Sequence, residues 1–198
     1  MNNRKGQKIH RSALKRLAKI RKRSKRKGIL AHYTYLAPFL STIESEYTCQ
    51  DISLYRWSHY PYIADDFKPQ IFQDSNPNSP ESLEVPSKDA PKDIILAYTS
   101  WFTISHYTTE QAAIDEWNRS LNKRLQKAKP NKRDKVKSDW IRGKGEYIIK
   151  IDYSKADGLI GPSDDGIHKE VFIYDGVDIA RLVDKDYTPI KISSYDAT

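Results

Sequence analysis

The sequence predicts a mixed fold of the α/β (α+β) kind, a single domain in which strands and helices share one core. Two patterns and a size point there. Apolar runs rich in β-branched and aromatic residues recur: Ile-Ile-Leu-Ala-Tyr-Thr-Ser-Trp-Phe-Thr-Ile at 94–104, Glu-Tyr-Ile-Ile-Lys-Ile-Asp at 146–152 and Glu-Val-Phe-Ile-Tyr at 170–174. Among and between them lie stretches whose apolar residues recur at helical spacing. A chain of 198 residues with 38% apolar side chains can bury one real core, with room for appendages.

Taken from the N-terminus, residues 1–28 predict a basic helix, an extension outside the main domain at 29–198. Ser12 can cap it, Ile9, Ala13, Leu17 and Ile20 recur at near-helical spacing, and Gly28 stops it. Residues 36–46 predict a short amphipathic helix with Pro38 in its first turn. Residues 51–72 hold many aromatics and predict irregular structure or short strands. Four prolines at 74–93 predict a mobile loop. The run at 94–104 predicts a strand. Residues 109–128 predict a helix with Ala112, Ala113, Trp117, Leu121 and Leu125 on one face and Thr108 or Thr109 as cap. The basic insertion 119–144 predicts the end of that helix, a basic loop around Pro130 and Asn131, and the approach to a strand. Strands follow at 146–152 and 170–174, with a turn at Asp164-Asp165-Gly166 before the second, and an edge strand at 189–193.

Charge is segregated. The net +8 is the sum of +13 on residues 1–30, −9 on 31–118, +9 on 119–144 and −5 on 145–198. Two cationic segments on an acidic body imply a polyanionic partner, and nucleic acid, RNA or DNA, is the expected one, held through 1–28 and 119–144. Trp140 inside the second segment could stack on a base, but an anchor to the core is the favoured role. No window approaches the ~20 apolar residues of a membrane helix. The cationic start lacks the apolar stretch of a secretory signal, and its apolar face is thin and free of aromatics, so no membrane partner is expected. The single cysteine, Cys49, excludes an internal disulfide framework and a cysteine-based zinc site, and a reducing, cytoplasmic location is expected. His59, Asp65 and Asp66 lack ligand spacing, so no metal is expected. There is no nucleophile elbow, phosphate-cradling glycine loop or dinucleotide fingerprint.

Three places set polar residues beside expected strands: His32-Tyr33-Thr34, Trp101-Phe102-Thr103 with His106-Tyr107-Thr108 after it, and Glu170 opening Glu-Val-Phe-Ile-Tyr-Asp. In this order the set resembles the His–Tyr–Glu signature of NAD-dependent ADP-ribosyltransferases of the diphtheria-toxin and poly(ADP-ribose) polymerase type. The resemblance covers roughly 30–183. It implies a split antiparallel sheet with NAD+ as substrate. Glu170 is the implied catalytic carboxylate, stabilising positive charge as the nicotinamide–ribose bond breaks. The implied NAD-binding residues are His32, Tyr33 and Thr34, with His32 and Thr34 on the ribose and carboxamide and Tyr33 turned away from them by strand alternation. Tyr107 or Trp101 is the implied platform for nicotinamide.

The slot before the Phe/Tyr-Thr pair, usually Tyr in this family, is filled here by Trp101 or His106. The arginine-serine-glutamate pattern of the other toxin branch is not evident, and His168 stands where a Glu-x-Glu pair would begin. An arginine-specific protein acceptor is therefore not expected. The expected function is mono-ADP-ribosyl transfer, toxin-like, to a nucleic acid (RNA favoured) or a nucleic-acid-associated protein, with a neutralising antitoxin as a further partner. NAD hydrolysis or phosphotransfer on the same scaffold is a variant of it. The alternative is a non-enzymatic basic protein that binds nucleic acid or ribosomes.

Overall fold

The computed structural model of the chain describes residues 30–192 except 75 and 162–165. The expected basic helix at 1–28 and the Asp164-Asp165 part of the expected turn lie outside the described residues, as does the end of the expected edge strand.

The strands are β1 (Ile52–Ser58), β2 (Ile104–Tyr107), β3 (Tyr147–Tyr153), β4 (Gly158–Gly161), β5 (His168–Ile173) and β6 (Ile190–Lys191). Among the described residues they form one antiparallel sheet in the order β4-β5-β2-β1-β3-β6. The α-helices are α1 (Tyr33–Leu36), α2 (Leu40–Glu46), α3 (Lys92–Thr99), α4 (Glu110–Lys127) and α5 (Arg133–Lys144). The mixed α+β class expected from the sequence is what the structure has.

Strand alternation gives the sheet two unlike faces. On one, Leu54, Ile104, Ile149, Ile151, Ile160 and Val171 pack with Ile179 and Val183 from the chain after β5. The other face is covered in two separate patches. Leu36, Phe39, Ile43 and Tyr98 from α1–α3 and the turn between them cover Leu159 and Phe172. Trp117, Leu121 and Trp140 from α4 and α5 cover Tyr107 and Ile148.

Several elements match expectation. Helix α4 starts where Thr109 accepts a hydrogen bond from the Ala112 amide (3.1 Å), and it buries Ala113, Trp117 and Leu121. Strands β3 and β5 lie where the apolar runs put them. Trp140 is buried against Trp57 and Trp117, the anchoring role.

Others differ. The run at 94–104 is not a strand: α3 occupies its first half, a 3-10 turn (Ser100–Phe102) follows, and only Ile104 enters β2. Its buried residues, Ile95, Tyr98, Thr99 and Phe102, recur at three and four, a helical period that the β-branched composition masks. The expected loop around Pro130 is a 3-10 turn (Pro130–Lys132) that opens α5, a 12-residue helix with seven charged residues, anchored by Trp140. Helix α5 ends at Gly145 with φ 71°, where a Cβ would stand 2.0 Å from the Ser58 carbonyl oxygen, so only glycine permits this exit into β3. The loop at 74–93 packs through Pro80, Leu83 and Ala90 against the rest.

Candidate active site

Strands β1 and β2 meet only at Tyr55 opposite Tyr107, and beyond that pair they diverge. The gap is a cleft of about 160 Å³, walled by Arg56 and Trp57 on one side and by Thr103, Ile104, Ser105 and Tyr107 on the other. Its far side is closed by His59, Asp66, Gln70 and Lys144. A second chamber of about 360 Å³ adjoins it and shares the walls Gln70, Gln73, Gly143 and Lys144.

Arg56 sits at this opening. A strand that loses its neighbour leaves backbone carbonyls without a ladder partner. Arg56 Nη1 donates across the gap to the Ser105 carbonyl (3.4 Å) and Nε donates to the Trp57 carbonyl (3.3 Å). Among the described residues no carboxylate lies within ion-pair distance of it. Burial pushes its guanidinium below its ordinary value, opposed by Tyr153, Asp66 and Tyr107. It stays charged, since arginine does not deprotonate in proteins.

Ser105 is exposed between buried neighbours on a central strand, which marks the open floor of the cleft. In the β2–β5 register it stands opposite Glu170, and directly opposite side chains in such a pair lie about 5 Å apart at Cβ. Glu170 accepts a hydrogen bond from the Tyr47 hydroxyl (2.9 Å). Tyr47 reaches it by lying over Gly161, where a Cβ would meet its ring at 2.1 Å. Burial raises the Glu170 pKa, while the Tyr47 hydrogen bond and His168 pull it down.

Tyr107 stacks on Trp57, with ring centroids 5.5 Å apart and planes 26° from parallel, and together they form an aromatic wall of the cleft. Behind β2, His106 is fully buried. Its Nδ1 donates to the Ile104 carbonyl (2.9 Å), so Nε2 accepts from the Tyr153 hydroxyl (2.9 Å), and burial holds its pKa well below the ordinary value. His59 bridges Asp66 (2.8 Å) and the Arg142 carbonyl (3.1 Å), tying the end of β1 to α5. Among the described residues no group of three or more metal-ligating side chains occurs.

The residues expected from the sequence separate into two sets. Tyr107 lines the seam cleft, and Glu170 stands one strand away from it, opposite Ser105. His32 does not sit on a strand: it has left-handed φ (62°) at the cap of α1 and stacks on Phe72 at 4.0 Å. It lines a different cavity with Ile104, Ile173 and Ile179, on the sheet face that Val171 and Ile173 share. Glu170 alternates to the other face, with Tyr47 and Phe172. The structure therefore does not bring His32 and Glu170 together. Tyr33 and Thr34 form the first turn of α1 rather than a strand. Trp101 lies in the 3-10 turn after α3 and lines a surface groove with Leu83, Pro86, Ile94 and Tyr98, so of the two candidate platforms Tyr107 is the one in the cleft.

Arg56 and Ser105 are what the sequence reading passed over: Arg56 bonds the Ser105 carbonyl at the opening, and the Ser105 side chain is registered opposite Glu170. A signal was present: Arg56 is one of only four basic residues in 31–118 and interrupts a run of β-favouring side chains, Ile-Ser-Leu-Tyr-Arg-Trp. A cation in such a strand has to face something polar. Comparison with protein families, with curated proteins and with solved structures gives no match.

Proposed function

We propose that the seam cleft binds NAD and that the protein is a mono-ADP-ribosyltransferase. One observation carries this: a sheet that parts at a single strand pair, with Arg56 and the exposed Ser105 lining the opening and a half-buried carboxylate, Glu170, on the next strand, registered opposite that serine. In this reading Glu170 keeps its role, and Arg56 and Ser105 at the opening replace His32.

The chemistry assigns the roles. In NAD cleavage the bond between C1′ of the ribose and the nicotinamide nitrogen breaks, and the nitrogen keeps the electron pair, so nicotinamide leaves neutral. Positive charge develops on C1′ and the ring oxygen. A carboxylate held in a partly desolvated site stabilises that charge and can orient a ribose hydroxyl, which is the task of Glu170. A lone pair on an acceptor nitrogen or oxygen then bonds C1′, and its proton leaves to solvent. Arg56 presents a fork of donors that suits the diphosphate, and Lys144 adds a second cation to the same cleft. Ser105 can hydrogen-bond the sugar beside Glu170. Trp57 and Tyr107 supply the aromatic lining of the cleft beside which nicotinamide would lie.

The test is incubation of the full chain with NAD labelled in its adenylate phosphate, together with RNA. Nicotinamide release and label on the RNA are expected. Absence of any nicotinamide release at saturating NAD overturns the transferase. The surviving account is then a nucleic-acid-binding protein, for which the cationic segments 1–28 and 119–144 already speak.

A further inference from the structure

We propose that the chamber between Gln70, Gln73, Asn76 and Pro77 on one side and α5 on the other is the seat of a single-stranded nucleic acid, its phosphates on the cations of α4 and α5 and one unpaired base inside. The binding statement stands by itself. That the bound strand is also the acceptor rests on the transfer proposed above.

The charge of this surface is uncompensated from within. Of the eleven Lys and Arg in 119–144, only Arg119, Lys135 and Arg142 pair with carboxylates among the described residues. Inside the chamber the crowding is sharper. Lys144, half-buried in the last turn of α5, has no carboxylate partner among the described residues. Burial lowers its pKa, and Arg56 and Arg124 lower it further. Arg124 and Lys144 line the chamber, with Arg56 behind them in the adjoining cleft; Asp139 on the chamber wall is already paired with Lys135 and Arg142, so the remaining cations are an arrangement that an anion relieves.

The chamber also has the parts that hold a base. Arg124 lies over the Trp140 ring with its guanidinium carbon 4.9 Å from the centroid, so its other face can carry a base in a stack. Gln70, Gln73 and Asn76 line the opposite wall, and side-chain amides both donate and accept towards base edges. The indole N–H of Trp140 is buried with no hydrogen-bond partner, the only side-chain atom in that condition among the described residues. At about 360 Å³ the space lies near the lower end of small-ligand sites. A concavity of this kind admits a base splayed out of a single strand and not a paired one. An acidic peptide would match the cations but would leave the amides and the aromatic stack without counterparts. Because the chamber shares walls with the seam cleft, a nucleophile on the seated strand has a route to the proposed transfer. Its lone pair forms the new bond, nicotinamide leaves with the old pair, and the proton goes to solvent.

The test measures binding of a short fluorescent single-stranded RNA to the full chain by anisotropy at several salt concentrations. Three variants are compared: the Arg124→Ala/Lys144→Ala double substitution, Gln73→Glu, and the remote control Lys155→Ala. The double variant should bind roughly tenfold more weakly at about 0.1 M salt, and its log–log salt slope should be shallower by about 1.4, at ~0.7 per cation for a single strand. Gln73→Glu adds an unpaired carboxylate to the chamber, beside the already paired Asp139, and should weaken binding severalfold without removing a cation. Lys155→Ala should change affinity less than about twofold, and a duplex of the same sequence should bind more weakly than the single strand. Unchanged circular dichroism secures folding, and Gln73→Glu stands in if the double variant fails it. The seat is wrong if both chamber variants bind RNA like the parent, or if a duplex binds as well as the single strand. It is also wrong if the variants raise KM for NAD while RNA affinity holds, because the chamber then takes the adenosine end of NAD. Weakened RNA binding in a protein that never releases nicotinamide keeps the seat and removes only the transfer.

Discussion

The two edges of β1 meet their neighbours in opposite ways. Towards β3 the strand is paired along its whole length, from Ile52 opposite Tyr153 to Ser58 opposite Tyr147. Towards β2 it is paired at Tyr55 alone. Leu54 with Ile151, Ile149 and Ile148 on the paired side are fully buried, whereas the parted side is lined by Arg56, Ser105 and Lys144. The difference teaches where this sheet keeps its stability and where it gives up pairing for an accessible site. Ladder hydrogen bonds missing at the seam are replaced in part by one guanidinium. Substitutions on the two sides should therefore separate into those that cost function and those that cost folding.

The largest effect is expected on the parted side. Glu170→Gln keeps size and hydrogen-bonding reach but removes the charge that faces C1′. NAD turnover should fall about 10³-fold, equal to about 4 kcal/mol of barrier. Thermal stability and RNA affinity should hold, because Glu170 makes no ion pair among the described residues and is not on the α4–α5 surface. Full turnover in this variant would remove the seam as the reaction site. Next comes the paired side. Leu54→Ala truncates a fully buried side chain between β3 and the Ile104–Val171 layer. Denaturant unfolding should show a loss of about 3 kcal/mol. Activity per folded molecule should change little; a matching fall in kcat would mean that the two edges are not independent.

Arg56→Lys probes the seam more gently. Lysine keeps the charge but lacks the fork that reaches both the Trp57 and Ser105 carbonyls. A fall of roughly 30-fold in kcat/KM for NAD, about 2 kcal/mol, is expected with little loss of melting temperature. Equal kinetics for the two residues would reduce Arg56 to a prop for the strand edge.

The paired part of the molecule was the part the sequence could express. Helix α4 carries its own cap and stripe, and β3 and β5 carry apolar runs flanked by turns, so local pattern and tertiary role coincide. Helix α3 was hidden because Ile94, Ile95 and Tyr98 favour strands by composition while their burial follows a helical period. Helix α5 was hidden because a helix with Trp140 as its one buried residue has almost no apolar stripe to read. Strand β4, four residues with glycine at both ends, carries too little side-chain signal. At the site, Glu170 and Tyr107 stood out because each sits in a short motif at an expected strand end, although β5 in fact begins two residues earlier, at His168. His32 stood out for the same reason, yet its strand is a left-handed turn into a helix. Arg56 escaped because what makes it functional is the absence of a neighbouring strand, a property of tertiary pairing that a single segment does not record.

Tyr47 gives the smallest and most selective change at the seam. Its hydroxyl donates to Glu170 and so favours the charged carboxylate, opposing burial, which favours the neutral acid. Tyr47→Phe removes the donor and leaves the ring over Gly161 in place. The Glu170 pKa should then rise further. Because the ionised form is the one that stabilises C1′, the acid limb of the kcat profile should move to higher pH, while the rate well above that limb stays close to the parent. Stability should follow the other sign. A carboxyl whose folded pKa is raised adds stability that is fully present below its unfolded pKa and is lost as pH rises through the folded value. The variant should therefore lose that increment at a higher pH than the parent, beyond a nearly pH-independent cost of about 1 kcal/mol for the lost hydrogen bond. Melting temperature and kcat measured across the same pH series read both shifts. A limb that stays in place would show that the titrating carboxylate is not Glu170, and would send the search for the catalytic acid to the Asp65–Asp66 side of the cleft.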